Sequence, residues 1–266
     1  MLNLDMDNSK LIKRIIFSLL GKFGYRISTI SNLELIRSFI ANLRVIDVKL
    51  IRIGSSNDGG YLVPDDLDGI KSCFSPGVAN NSDFEFDLSK RGITCFLADY
   101  SVDAPAINDS NFKFLKKYVG PITNGEFVEF ETWVSQNSNT NDDLILQMDI
   151  EGSEYASLIS CNREILNRFR ILIIEFHSLD LLFDSQGFHF VINTFEKLLQ
   201  DFYIAHIHPN NNDPIRTIGA VSIPSLLEFS FIRKDRVELV RYKSQVSHPL
   251  DTPTVPSRKN FGLPSL

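Results

Sequence analysis

Residues 144–155 read LILQMDIEGSEY, an apolar run that ends on three carboxylates, Asp149, Glu151 and Glu154, around a single glycine. At the end of a buried strand a carboxylate can cap a helix, hold a cation or take a proton. Glu154 suits the first role, because it falls in the opening turn of the helix expected over SEYASLIS, where negative charge meets the helix dipole. Asp149 and Glu151 are left for chemistry. Glu175 and His177 close the apolar run RILIIEFH. His177 is the candidate general base, since a neutral imidazole titrates near physiological pH, with Glu175 or Asp149 to orient it. Asp149, Glu175 and a histidine could instead hold a divalent cation that lowers the pKa of a bound hydroxyl, and no ligand spacing decides between the two. In AHIHPNNN, His206 and His208 share one side of a strand and could line an acceptor pocket with Asn210 and Asn211, or one of them could cap the turn before Pro209.

These residues need strands and helices to bring them together, and the pattern supplies both. IKSCFSP, GITCFLADY, FKFLKKYVG, DLILQMDI, RILIIEFH and YIAHIHP read as strands, most of them followed by a helical pattern, and LLEFSFIRK closes the series without an intervening helix. That alternation predicts an α/β fold: a doubly wound, mainly parallel seven-stranded sheet with an antiparallel closing strand. Ahead of it, LIRIG and YLVP flank Asp58-Gly59-Gly60 and predict a hairpin. Ser31-x-x-Glu34 and Ser82-x-x-Glu85 match the capping box at two helix starts. Trp133, in the amphipathic FVEFETWV, belongs to the core. The chain divides into an N-terminal helical extension (1–48), the α/β domain (49–246) and a proline-marked tail (247–266), extended on the surface or loose.

In an open parallel sheet, ligands bind beyond the carboxyl ends of the strands, near the point where strand order reverses. The first strand leaves through Ser75-Pro76-Gly77, where Gly77 allows close backbone approach. The second leaves through Ala98-Asp99-Tyr100, and a carboxylate there can accept hydrogen bonds from both hydroxyls of a ribose. Either feature alone is an ordinary turn or cap; together, about 20 residues apart in consecutive βα units, they favour a nucleoside-containing cofactor. The dinucleotide fingerprint G-x-G-x-x-G and the P-loop are both missing from the sequence, so the loop is poorly built to hold a pyrophosphate. S-adenosylmethionine has no phosphate and needs only a glycine-lined passage.

The 266 residues carry a net charge of -6 with a pI near 5.4, which gives no global attraction to nucleic acid. Cys73, Cys95 and Cys161 are odd in number and far apart, arguing against a disulfide framework and for a reducing, cytoplasmic compartment. The segment LIKRIIFSLLGKFGYRI, punctuated by Lys10, Lys13, Arg14, Lys22 and Arg26, is too short in apolar residues to span a bilayer. An amphipathic helix there would pack on its own domain, or lie on a membrane surface or a partner, peripheral to the inner membrane face.

Taken in order, SPGVANNSDFE, FLADYS, KKYVG, LQMDIEGSEY and IIEFH resemble the FkbM-type S-adenosylmethionine-dependent methyltransferases over roughly residues 50–235. The most specific element is the D-[IV]-E-G-[AS]-E run from Asp149 to Glu154, and DGGYLVP is similar to a bacterial, surface-polysaccharide-associated branch. The resemblance implies an O-methyltransferase acting on a sugar or other hydroxyl-bearing acceptor. It implies cofactor contacts from Gly77, Val78 and Asn80, a ribose on Asp99 with Tyr100 beside the adenine, and Asp149 and Glu151 facing the methionine end. The usual acidic residue before G-x-G is replaced by Ser75-Pro76-Gly77. Two rival readings keep the fold: a natural-product acceptor, or a catalytically silent binding relative.

Overall fold

The computed structural model describes residues 3–24, 28–244 and 247–258, with side chains of the first helix described from Leu11 onward. Arg26 and Pro264 lie outside the described residues. Seven strands, numbered here along the chain, form the central sheet: β1 (Ser72–Pro76), β2 (Thr94–Ala98), β3 (Phe112–Leu115), β4 (Leu144–Met148), β5 (Phe169–Phe176), β6 (Phe202–Pro209) and β7 (Leu227–Arg233). Their spatial order is β6-β7-β5-β4-β1-β2-β3. β7 runs antiparallel to both neighbours, and the other pairings are parallel. This is the expected fold class: a doubly wound, mainly parallel seven-stranded sheet with one reversed closing strand.

The helices follow from the sequence pattern: α1 (Asn3–Lys22), α2 (Leu33–Asn42), α3 (Asp83–Ser89), α4 (Phe130–Asn137), α5 (Glu154–Ser160), α6 (Arg163–Leu166) and α7 (Ser185–Asp201). Successive side chains of a strand point to opposite faces, and a parallel sheet must have both faces covered. Leu172, Ile174 and Phe176 of β5 accordingly join Ile36 of α2, Trp133 of α4, Leu158 of α5 and Phe195 of α7 in the larger core. Ile171 and Ile173 point the other way, into a smaller core with Ile53, Tyr61, Phe84 and Leu88. There the expected hairpin, Leu50–Gly54 against Gly60–Pro64, and the short α3 take the place of a full helical layer. Cys73, Cys95 and Cys161 are free thiols, all buried.

Three local expectations are corrected. The α2 cap is Asn32, whose side chain accepts from Glu34 N, while Ser31 Oγ is buried without a partner. Ser82 does precede α3, but its hydroxyl accepts from Ala106 N, and Glu85 turns inward to Ser75 instead of back to the cap. FKFLKKYVG is not one strand, since Tyr118–Gly120 leaves the sheet to pair with Phe127–Glu129. The α2 start shifts to another local cap one residue on, while at α3 and at Tyr118–Gly120 a tertiary partner outcompetes the local motif.

Glu85 carries a consequence. Ser75 Oγ lies between Glu85 Oε1 and Gln147 Oε1, 2.6 Å from the latter, and one hydroxyl proton cannot serve both. A protonated Glu85 donating to Ser75 resolves this, and burial raises its pKa from 4.5 to about 7. The stability tied to this proton is complete below the ordinary carboxyl value and lost as pH rises through about 7. Glu85→Gln has no such loss, so its stability relative to the parent improves between pH 5 and 8 in urea unfolding; a pH-independent difference would contradict a proton on Glu85.

Candidate functional site

The chain leaves β1 toward β2 and β3 on one side of the sheet and returns to begin β4 on the other, so the crevice opens between the exits of β1 and β4. Backbone bonds hold these exits together: Asp149 N donates to Pro76 O at 3.2 Å, and Gly77 N donates to Ala98 O at 2.9 Å. Gly77 adopts φ +85°, and a Cβ there would stand 1.5 Å from the carbonyl oxygen of Asp149. Only glycine permits this approach. Ala79 (φ 40°), Glu151 (φ 55°) and Ser178 (φ 54°) are left-handed as well, one in each loop leaving β1, β4 and β5. Each such conformation costs on the order of 1 kcal/mol, and their gathering at one sheet edge makes that edge the candidate site.

Two cavities meet there. The first, about 500 Å³, is bounded by Gly77, Ala79, Asp99, Ser101, Tyr118 and Asp149, among others. Asp99 is buried in its wall, accepting from Ala79 N at 2.8 Å and from Ser101 N and Oγ at 2.7 Å. The second, about 400 Å³, is bounded by Asp58, Glu175, His177 and Asn210 and by residues 254–256 of the tail. Asp149 and Glu151 line both.

His177 stands at this junction. Its Nδ1 lies 3.0 Å from Glu154 Oε1, and its Nε2 lies 3.7 Å from Asp149 Oδ1 and 3.4 Å from Glu151 Oε2. Burial disfavours the imidazolium, but the Glu154 hydrogen bond and the charges of Glu154, Asp149 and Glu151 outweigh it and raise the pKa to about 8. Asp149 moves to about 7, chiefly through burial and against the pull of His177. Its Oδ1 is buried without a hydrogen-bond partner, a vacancy that a hydroxyl proton or a cation would satisfy. Once neutral, His177 can accept a proton at Nε2 while Glu154 holds the opposite nitrogen as a donor.

The orienting carboxylate is therefore Glu154, not Glu175 or Asp149. Glu154 sits in the first turn of α5 as expected but does not cap it: its Oε1 reaches back into the preceding loop, accepting from Ile150 N and Gly152 N at 3.0 and 3.1 Å, and the same oxygen fixes His177. Glu175 bounds the second cavity and accepts from Asn210 Nδ2 at 2.9 Å; burial first, then Asp149 and Glu228, raises its pKa well above the carboxylate range. Asp149, Glu151 and His177, rather than Asp149, Glu175 and a histidine, offer ligand atoms within 4.8 Å of one another.

Among the expected cofactor contacts, Gly77, Asp99, Asp149 and Glu151 line the first cavity, whereas Val78 and Asn80 do not. Val78 is buried in the smaller core and Asn80 is exposed. Tyr100 stands behind Tyr118, rings 5.2 Å apart, and Tyr118 with Phe127 forms the cavity's aromatic wall. His206 and His208 lie buried under the tail, with Asp251 Oδ1 at 2.8 Å from His206 Nε2 and 3.5 Å from His208 Nδ1. Asn211 adds a second fastening, donating to Val255 O at 3.0 Å and accepting from Val255 N at 2.7 Å. The tail is thus wrapped, and it walls the second cavity. Asp58, Tyr118 and Thr254 are among the lining residues that the sequence reading did not assign to the site. Turn propensity accounted for Asp58, strand alternation for Tyr118, and proline content for the segment around Thr254.

No known protein family and no curated protein matches the chain. Among solved structures it is similar to a proposed RNA methyltransferase from Pyrococcus horikoshii, at 11% identity and TM-score 0.30, over 63% of this chain and 77% of that one. The fold class rests on the strand order itself.

Proposed function

We propose that the protein transfers a methyl group from S-adenosylmethionine to a sugar hydroxyl, in a bacterial surface glycan or its precursor. One observation carries this reading: a cavity with three carboxylates and no Lys or Arg in its wall joins, at Asp149 and Glu151, a second cavity bearing His177. The first wall suits a cationic, phosphate-free cofactor better than a pyrophosphate, which calls for amide or cationic donors. Gly77 would give close backbone approach, Asp99 would take a ribose hydroxyl, and Tyr118 would offer a ring face. The cofactor supplies an electrophilic methyl group. The chain's own part is to place an acceptor hydroxyl at the junction, exclude water with the tail, and take the hydroxyl proton on His177 Nε2. The FkbM-type resemblance supports a sugar as acceptor; a natural-product hydroxyl would use the same geometry.

Asp99→Ala is expected to weaken S-adenosylhomocysteine binding by about tenfold to a hundredfold, the cost of one or two charge-assisted hydrogen bonds, as read by calorimetry. Unchanged affinity would put the ribose elsewhere. A second reading follows from the approach of Asp149, Glu151 and His177: these three could hold a divalent cation that acidifies the hydroxyl in place of the base. Their mixed oxygen and nitrogen donors, with one carboxylate oxygen buried and unpaired, fit such an ion. Activity that survives exhaustive EDTA treatment would eliminate it.

A further inference from the structure

Helix α1 has no part in either cavity, yet its surface is organised. Leu11, Ile12, Ile15, Ile16 and Leu19 are each 45–57% exposed. At 100° per residue they occupy an arc of roughly 140°. Phe23, just past the helix end, continues that face and is 77% exposed. Lys13 and Arg14 lie on the other side of the helix, with Phe17 between them. After Asp5 and Asp7 at the start of α1, the sequence from residue 8 to residue 33 has Lys10, Lys13, Arg14, Lys22 and Arg26 and no carboxylate, although the whole chain carries a net charge of -6. No described helix is long and apolar enough to cross a membrane.

From these features we infer that α1 docks in the plane of an anionic lipid bilayer, apolar arc down, with its basic residues against the headgroups. An apolar stripe alone would fit any greasy partner, but a stretch with five cations and no carboxylate, in a chain of net charge -6, selects an anionic surface. The occupant is lipid headgroup phosphate rather than free phosphate, because the apolar arc needs an acyl layer beneath it.

The test is flotation of the full chain with vesicles of phosphatidylcholine alone and of phosphatidylcholine containing about a third phosphatidylglycerol. Binding is expected to the second, weakening as salt rises. Each basic residue near the surface contributes roughly fivefold, so Lys13→Gln with Arg14→Gln should lower partitioning about 25-fold. Ile12→Glu with Ile15→Glu should abolish it. All four side chains are exposed, so unchanged thermal unfolding of both double variants confirms that the loss is in docking. Equal partitioning to neutral and anionic vesicles, or double variants that float like the parent, would overturn the inference. So would a lipid-free dimer by light scattering that Ile12→Glu with Ile15→Glu dissociates, combined with no flotation, since the occupant would then be a second copy of the chain.

Discussion

Replacing His177 with alanine should lower methyl transfer by about 10²- to 10⁴-fold while S-adenosylhomocysteine binding stays close to that of the parent. The imidazole is the one group at the cavity junction that is both titratable near neutrality and fixed by a buried partner, Glu154. Its pKa of about 8 makes the direction testable, because the base form appears only as pH rises through that value. Parent activity at saturating cofactor should therefore climb between pH 7 and 9, and the residual activity of His177→Ala should be flat there. Stability should move the other way. A folded pKa above the ordinary imidazole value of 6.5 contributes stability that is complete below 6.5 and lost as pH rises through about 8. Turnover and unfolding midpoint should thus diverge over one pH window. A variant that retains parental turnover would exclude His177 as the base.

The second large effect belongs to a residue with no side chain. Gly77→Ala would put a Cβ 1.5 Å from Asp149 O at a φ of +85°, a clash with backbone that no rotamer relieves. The exits of β1 and β4 would have to separate, and with them the floor of the crevice. A loss of about 3–5 kcal/mol in urea unfolding is expected, together with undetectable S-adenosylhomocysteine binding by calorimetry. Gly92→Ala is the control: Gly92 has φ +79° but nothing within 4 Å of its missing Cβ, so only about 1 kcal/mol of backbone cost should appear. Equal effects from the two substitutions would show that the glycine conformation matters and the close approach does not.

Different physical scales decide what could be seen in the sequence. The sheet was legible because parallel strands covered on both faces are near-continuous apolar runs, as in RILIIEFH, and because a closing strand without a preceding helix must reverse direction. Gly77, Asp99, Asp149 and His177 stood out because topology makes strand exits special whatever the details of packing. Capping was legible only to within a residue, as the exchange of Ser31 for Asn32 shows. Glu154 was half legible: its helix-start position places charge against the helix dipole, but its Oε1 braces the preceding loop and reaches His177, 23 positions along, and no local pattern encodes that. His206 and His208 mislead for a similar reason. Their spacing places both on one side of β6, while their burial depends on Asp251, 45 residues beyond His206.

The wrapped tail has a consequence for biosynthesis. Every residue lining the first cavity falls between Gly77 and Ser153, whereas the second draws on Asp58 at one extreme and Pro256 at the other. A chain growing on the ribosome has all the lining residues of the first long before it can wall in the second. Until residues 254–256 have emerged, the junction at Asp149 opens to bulk water on the His177 side. Translation order alone keeps an unfinished chain from presenting a closed second cavity.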